Sequence, residues 1–193
     1  MSLMAFMMMV GSATGGTKNA TAATMPDATG KSVHAFTMTS IDGVAVPLSR
    51  YRGKVMLIVN VASKCGHTPQ YADLEELNKR YRERGLAILG FPANNFGWQE
   101  PGTDEEIQTF CTTRYNVTFD MFSKISVKGS DQHPLYSYLT SEEANPETAG
   151  GVKWNFTKYL VDRNGKVIAK FASGVKPLSE ELVKAVEEAL GKQ

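Results

Sequence analysis

Only two cysteines, Cys65 and Cys111, occur in the 193 residues. That is too few for a disulfide scaffold, and their wide spacing forms neither a CxxC pair nor a zinc knuckle. Histidine is scarce as well. His34, His67 and His133 are scattered, and Cys65-Gly66-His67 offers a metal two ligands with no third nearby in sequence. His67 therefore reads as a loop residue, and neither a metal nor another cofactor is expected. An excess of one charge is also missing. Lys plus Arg number 21 against 20 Asp plus Glu, which excludes the electrostatic footprint of a nucleic-acid or anionic-membrane partner. No membrane span is expected either, because the apolar run Leu3–Val10 falls far short of the roughly 20 residues a spanning helix needs.

After that run come Gly, Ser, Ala and Thr, and Ala20-Thr21-Ala22 is similar to a small-residue cleavage site, although no Lys or Arg precedes the apolar run. Residues 1–25 thus read as a disordered leader or a signal remnant, and residues 26–193 as one domain whose regular structure begins near Ser32. The cytoplasm is the favoured compartment; a periplasmic or exported location follows if residues 1–22 are a signal remnant.

The domain opens with a predicted hairpin, His34–Ile41 and Val44–Pro47 around Asp42-Gly43, a pair suited to a tight turn. Lys54–Ala62 is a continuous apolar run and predicts a strand buried on both faces. Thr68 as N-cap and Pro69 at the first helical position then start a helix. It turns Tyr71, Leu74, Leu77 and Tyr81 inward, and Glu75, Glu76, Lys79, Arg80 and Glu83 outward, before Gly85 ends it. Leu86–Phe91 is a second buried strand, and Pro92–Gly102 an irregular loop. Thr103 with Glu106 forms a capping box for a second helix, with Ile107, Phe110, Cys111 and Arg114 on one side. Lys158–Val161 and Lys166–Ala172 flank a turn, and Ser179 caps a last helix whose Leu182, Val183, Val186 and Leu190 face inward. This order describes an α/β chain: a central mixed β-sheet flanked by helices, with an N-terminal β-hairpin, the layers of a thioredoxin-like fold.

Cys65 follows the first buried strand and precedes the first helix. A thiol there meets the helix's positive end and neighbouring backbone N–H groups, which favour its anionic, nucleophilic form. The bland reading is a structural thiol. At this point the residues carry a resemblance. Asn60-Val-Ala-Ser-Lys-Cys-Gly-His-Thr68 resembles the nucleophile segment of the glutathione peroxidase family. Phe91-Pro-Ala-Asn-Asn-Phe-Gly-Trp-Gln-Glu-Pro-Gly102 resembles its second signature, and Trp154-Asn-Phe-Thr-Lys-Tyr159 with Val161–Gly165 its third. The likeness runs from about Val33 to Leu190.

The resemblance implies a thioredoxin-like peroxidase, serving in the response to oxidative stress, that reduces hydrogen peroxide and organic or lipid hydroperoxides. It makes Cys65 the residue attacked by peroxide and oxidised to a sulfenic acid. It places Gln99, Trp154 and Asn155 as polar donors around the sulfur, and Cys111 as the resolving thiol that forms a Cys65–Cys111 disulfide. Otherwise the tryptophan and the two amides would be packing and loop-satisfying residues, and Cys111 a buried apolar one. A bridge needs Cα atoms within roughly 7 Å, so residues 104–114 are expected to shift if Cys111 starts farther away. Two departures stand out. Ala93 and Asn95 replace the family's frequent Cys and Gln, leaving Cys111 the sole intramolecular resolver and Asn95 without a catalytic role. Ser126–Lys153 is too short for the insertion that builds a tetramer interface, so a monomer is expected. An intramolecular disulfide favours a thioredoxin-like reductant; glutathione is the alternative, as is a peroxide sensor relaying oxidation to a client protein. Trp98 and Phe96 are expected on an apolar rim.

Overall fold

The apolar run after Lys54 forms the central strand β3 (Val55–Val61), and every residue in it is buried. The structure is a computed structural model that describes Met1 and residues 32–191; the leader reading falls outside the described residues. β4 (Leu86–Pro92) lies parallel to β3, in register from Val55 opposite Leu86 to Val61 opposite Pro92. On its far side β4 takes the two-residue strand β5 (Asp120–Met121) in parallel. The other edge is antiparallel: β6 (Lys158–Val161) pairs with β3, and β7 (Val167–Phe171) with β6. The sheet order is β5-β4-β3-β6-β7. A separate hairpin joins β1 (Thr37–Thr39) to β2 (Ala45–Pro47), with Gly43 at φ +82° in the turn, where a side chain would be strained.

Alternation along the strands divides the core in two. Val55, Leu57, Val59 and Val61 pack with helices α1 (Gln70–Tyr81), α2 (Asp104–Tyr115) and α4 (Glu180–Gly191). Met56 and Ile58 face the other way, toward the hairpin and α3 (Pro134–Thr140). Helices therefore cover both faces of a mixed sheet, the thioredoxin-like layering expected from the element order. α4 starts at Ser179, whose hydroxyl accepts from the Leu182 N–H at 3.5 Å. In α2, Thr103 and Glu106 close the predicted capping box.

Several local expectations are corrected. The hairpin arms are shorter than predicted, because His34 lies in a 3₁₀ turn over Val33–Ala35 that the Ser32 side chain caps. Thr68 does not cap α1: its hydroxyl donates to Ala62 O at 2.8 Å and accepts from Cys65 N–H at 2.9 Å, closing the turn around the cysteine instead. Glu75 is buried rather than outward, because its carboxylate accepts from the Thr118 N–H and hydroxyl at 2.8 and 2.7 Å. A carboxylate with two such donors tolerates burial that an unpaired one would not. Arg114 is exposed, away from the buried Ile107 and Cys111. α3 and β5 were not anticipated: one is seven residues long and the other two, too short for a periodicity to register.

Candidate active site

β3 ends at Val61, and four residues later the chain places Cys65 in the turn before α1, at 8% exposure. The hydrogen bond that reaches its sulfur comes from the His67 backbone N–H, at 3.3 Å. The Thr68 clamp and the Thr68 N–H to Cys65 O bond, at 3.0 Å, hold this turn closed. A thiolate or developing anion at Sγ would thus meet a fixed donor without reorganisation. His67 acts here through its backbone, which no residue identity announces.

The second signature comes alongside through its main chain. Lys64 N–H donates to Gln99 O at 3.0 Å, tying the residue before Cys65 to the loop after β4. The third signature joins through side chains: Asn155 Nδ2 donates to Gln99 Oε1 at 2.9 Å. An amide whose oxygen is engaged in this way keeps its NH₂ free to donate elsewhere. Asn155 is fully buried, and its own Oδ1 has no partner. Trp154 packs its indole against Phe96 with ring centroids 5.6 Å apart, at 40% exposure. Thus Gln99 and Asn155 come together as a pair, and Trp154 borders them. The sulfur's bond, however, is to His67 N–H rather than to any of those three predicted donors. Cys111 lies apart on α2, buried in the same apolar cluster as Cys65; both are free thiols.

Asn60, the last polar residue of β3, organises the third segment and was missed as a functional position. Its Nδ2 donates to Trp154 O at 3.1 Å, its Oδ1 accepts from Thr157 N–H at 3.1 Å, and its carbonyl accepts from Phe156 N–H at 2.6 Å. These bonds hold Phe156 at φ +62°, a conformation that costs a bulky residue on the order of 1–3 kcal/mol. An asparagine inside an otherwise apolar buried run is the sequence signal that could have marked it. Trp98, at φ +55°, projects into solvent at 82% exposure, whereas Phe96 is buried beneath Trp154. Only Trp98 therefore fits the expected open rim. Asn95 braces its loop through Ser126 Oγ, Lys128 O and Val127 N–H, a structural role consistent with assigning it no chemistry.

Two further buried ionisable groups were not anticipated. Glu100, next to Gln99, carries a carboxyl that burial pushes up to about 7, against the pull of Ser63, Lys124 and Lys64. Lys158, fully buried at the start of β6, donates to Gln70 Oε1 at 2.6 Å and to the carbonyls of Val175 and Ser173. Gln70 Nε2 in turn reaches His67 Nδ1 at 3.3 Å and Ser173 O at 2.7 Å. Burial pulls Lys158 from 10.5 down to about 8, with Asp73 opposing. Between those values the unfolded chain binds the extra proton. The burial penalty is therefore full below pH 8 and is relieved as pH rises toward 10.5, a difference of about 3 kcal/mol in all. Urea unfolding of wild type and Lys158→Met is expected to show wild type gaining about 2 kcal/mol on the variant between pH 7.5 and pH 10. A pH-independent difference would mean that folding does not lower the proton affinity of Lys158.

On α2, burial pushes the Cys111 thiol up to about 11; the Glu100 charge adds to this and the Tyr71 hydroxyl acts against it. The contact with Tyr71 falls short of regular hydrogen-bond geometry, since the fully buried hydroxyl has no regular partner. Among the described residues no cluster of three or more His, Cys, Asp or Glu could hold a metal, and no helix is long and apolar enough to cross a membrane.

Comparison with known proteins places this geometry. A model of the glutathione peroxidase family matches residues 33–140. The glutathione peroxidase-like peroxiredoxin HYR1 of Saccharomyces cerevisiae is 51% identical over 150 residues, covering 75% of this chain and 92% of its own. The hydroperoxy fatty acid reductase gpx1 of Synechocystis sp. is 48% identical over 165 residues, covering 82% and 95%. The thioredoxin/glutathione peroxidase BtuE of Escherichia coli is 45% identical over 171 residues, covering 79% and 93%. Among solved structures, Trgpx in its apo form superposes with a TM-score of 0.66 at 37% identity, covering 83% of this chain and 97% of that one. A thioredoxin-family thiol:disulfide interchange protein from Chlorobium tepidum TLS, at 18% identity and a TM-score of 0.58 over 81% and 93% of the two chains, shares the fold alone.

Proposed function

The chain belongs to the glutathione peroxidase family and is a thiol peroxidase acting on hydroperoxides, and from that premise we propose that Cys65 is the attacking thiol and Cys111 the resolving one. The observation that carries this reading is the closed turn around Cys65, with the His67 N–H on its sulfur and the Gln99–Asn155 pair tied in through Lys64. The Cys65 thiolate attacks one peroxide oxygen. The O–O bond breaks, water or an alcohol leaves, and the sulfur is oxidised to a sulfenic acid. Gln99 Nε2, left free by the engagement of Oε1, and the Trp154 indole N–H supply donors for the departing oxygen.

Cys111 then attacks the sulfenic sulfur, water leaves, and a Cys65–Cys111 disulfide forms. Tight helical packing around Cys111 means that part of α2 opens to let this happen. An external dithiol reduces the bridge. A thioredoxin-like protein is the preferred reductant, because an intramolecular disulfide suits exchange with a CxxC pair. The Escherichia coli relative's name carries both thioredoxin and glutathione, and the two are separable. Steady-state peroxide reduction is expected to show kcat/KM with thioredoxin and its reductase about tenfold or more above the glutathione system. Faster turnover with glutathione would reverse the assignment of reductant. The short 126–153 segment supports action as a monomer.

A further inference from the structure

Attack on peroxide makes no use of Glu100, although it is among the most deeply placed charged side chains at the site, with 1% exposure. Its main chain is fixed on both sides: its N–H donates to Asn94 Oδ1 at 2.8 Å, and its carbonyl accepts from Lys124 Nζ at 3.2 Å. The carboxyl is thereby held between the turn that leads to Cys65 and the inner face of α2. It borders a cavity of about 350 Å³ shared with Ser63, Lys64, Glu106, Ile107 and Phe110. One of its oxygens, Oε2, is buried without a partner. The Ser63 hydroxyl approaches the carboxyl from the Cys65 side but falls short of a regular hydrogen bond. From the α2 side its charge is felt by the Cys111 thiol and by the Tyr71 hydroxyl that lies against that thiol. A buried, orphaned carboxyl oxygen in a cavity lined by the Ser63-Lys64 segment before Cys65 and by the α2 residues Ile107 and Phe110 near Cys111 is costly to keep unless something uses it.

The second chemical step supplies the use. A thiol pushed up to about 11 is ionised to only about one part in 10⁴ at pH 7, yet the thiolate is the species that attacks a sulfenic acid. Its proton needs an acceptor. We propose, building on the assignment of Cys65 and Cys111 above, that Glu100 is the general base of the disulfide-forming step. Its carboxylate takes the proton as the Cys111 S–H bond breaks, and the freed electron pair forms the S–S bond to Cys65. The Cys65 S–O bond breaks, and the leaving oxygen collects the proton from Glu100, departing as water and restoring the carboxylate. Cys111 sulfur is oxidised and the sulfenic sulfur reduced, so no outside electron is needed. The groups facing this carboxyl are Ser63 and Lys64 on the nucleophile turn, Lys124 after β5, Tyr71 on α1, and Cys111 and Glu106 on α2. Burial leaves it poised near neutrality at about 7, where a base both accepts and returns a proton readily.

Stopped-flow oxidation by hydrogen peroxide, with quenched samples analysed for sulfenic acid and disulfide, separates the two steps. In Glu100→Gln, which preserves shape and an acceptor oxygen, sulfenic acid is expected to form within about twofold of the wild-type rate. The disulfide is expected to form about 100-fold more slowly. The wild-type disulfide step should rise with pH around neutrality, and that limb should vanish in Glu100→Gln and return in part in Glu100→Asp. Wild-type disulfide kinetics in Glu100→Gln would overturn the proposal. So would equal slowing of both steps, which marks a purely structural role, or a wild-type disulfide step flat from pH 6 to 8. If wild type forms no Cys65–Cys111 bridge at all, the assignment of the resolving thiol fails first.

Discussion

Replacing Cys65 with serine is expected to slow the reaction with hydrogen peroxide by at least about 10³-fold, on the scale of other losses of a nucleophile. The hydroxyl keeps the shape of the turn and the Thr68 clamp, which uses the Cys65 main chain rather than its sulfur. Only the polarisable, ionisable atom is lost. Cys111→Ser should behave in the opposite way. Its first step stays fast, because Cys111 lies on α2 away from the donors at Cys65, and sulfenic acid accumulates because nothing inside the protein can condense with it. Stopped-flow kinetics with mass spectrometry of the thiols reads both outcomes. A Cys65→Ser protein that retains the fast phase would exclude Cys65 as the nucleophile, and a Cys111→Ser protein that still forms an intramolecular bridge is impossible with only two cysteines. Turnover on thioredoxin that survives in Cys111→Ser would therefore show direct reduction of the sulfenic acid and remove Cys111 from the cycle.

The next largest effect is expected at the amide pair. Gln99→Ala removes the side chain whose NH₂ we propose as a donor to the departing oxygen, and a lost donor of this kind costs roughly 10²- to 10³-fold. Asn155→Ala is more telling. Asn155 fixes the Gln99 amide by donating to its oxygen at 2.9 Å, while its own Oδ1 is buried and unpaired. Truncation frees Gln99 to turn but also deletes an orphaned acceptor, so the first step should slow by roughly 10-fold or more while stability changes by only about 1 kcal/mol. Stopped-flow rates beside urea unfolding test the pairing of a rate loss with near-constant stability. A large loss of stability with an unchanged rate would assign Asn155 to the fold rather than to the reaction.

The site was legible in some residues and opaque in others for identifiable reasons. The place of Cys65 between a buried strand and a helix was readable from local pattern, while its proposed role as the attacking thiol came from the three ordered signatures of the resemblance. Gln99, Trp154 and Asn155 were placed in its neighbourhood by resemblance, and their joining is visible only in the bond from Asn155 to Gln99 and the main-chain bond from Lys64. Thr68 was misread as a helix cap. A threonine before Pro69 satisfies the capping rule, and nothing local reveals that Ala62 O offers its hydroxyl a better partner. Glu75, Glu100 and Lys158 all have the composition of surface residues. Their burial depends on groups far along the chain: Thr118 on the carboxylate of the first, Lys124 on the main-chain carbonyl of the second, Gln70 and Val175 on the ammonium of the third.

Local patterning determined the strands β3 and β4, helices α1, α2 and α4, the thioredoxin-like layering and the place of Cys65 between strand and helix, because each rests on a period or a turn signal spanning a few residues. Tertiary structure alone decided which backbone N–H meets the sulfur, how Asn60 holds the 154–157 segment, and that the Glu100 carboxyl is buried in a cavity it shares with Ser63, Lys64, Ile107 and Phe110. Those features arise where β3, the loop after β4 and the start of β6 converge, and the partners in such contacts are set by sheet order, which no window of sequence contains.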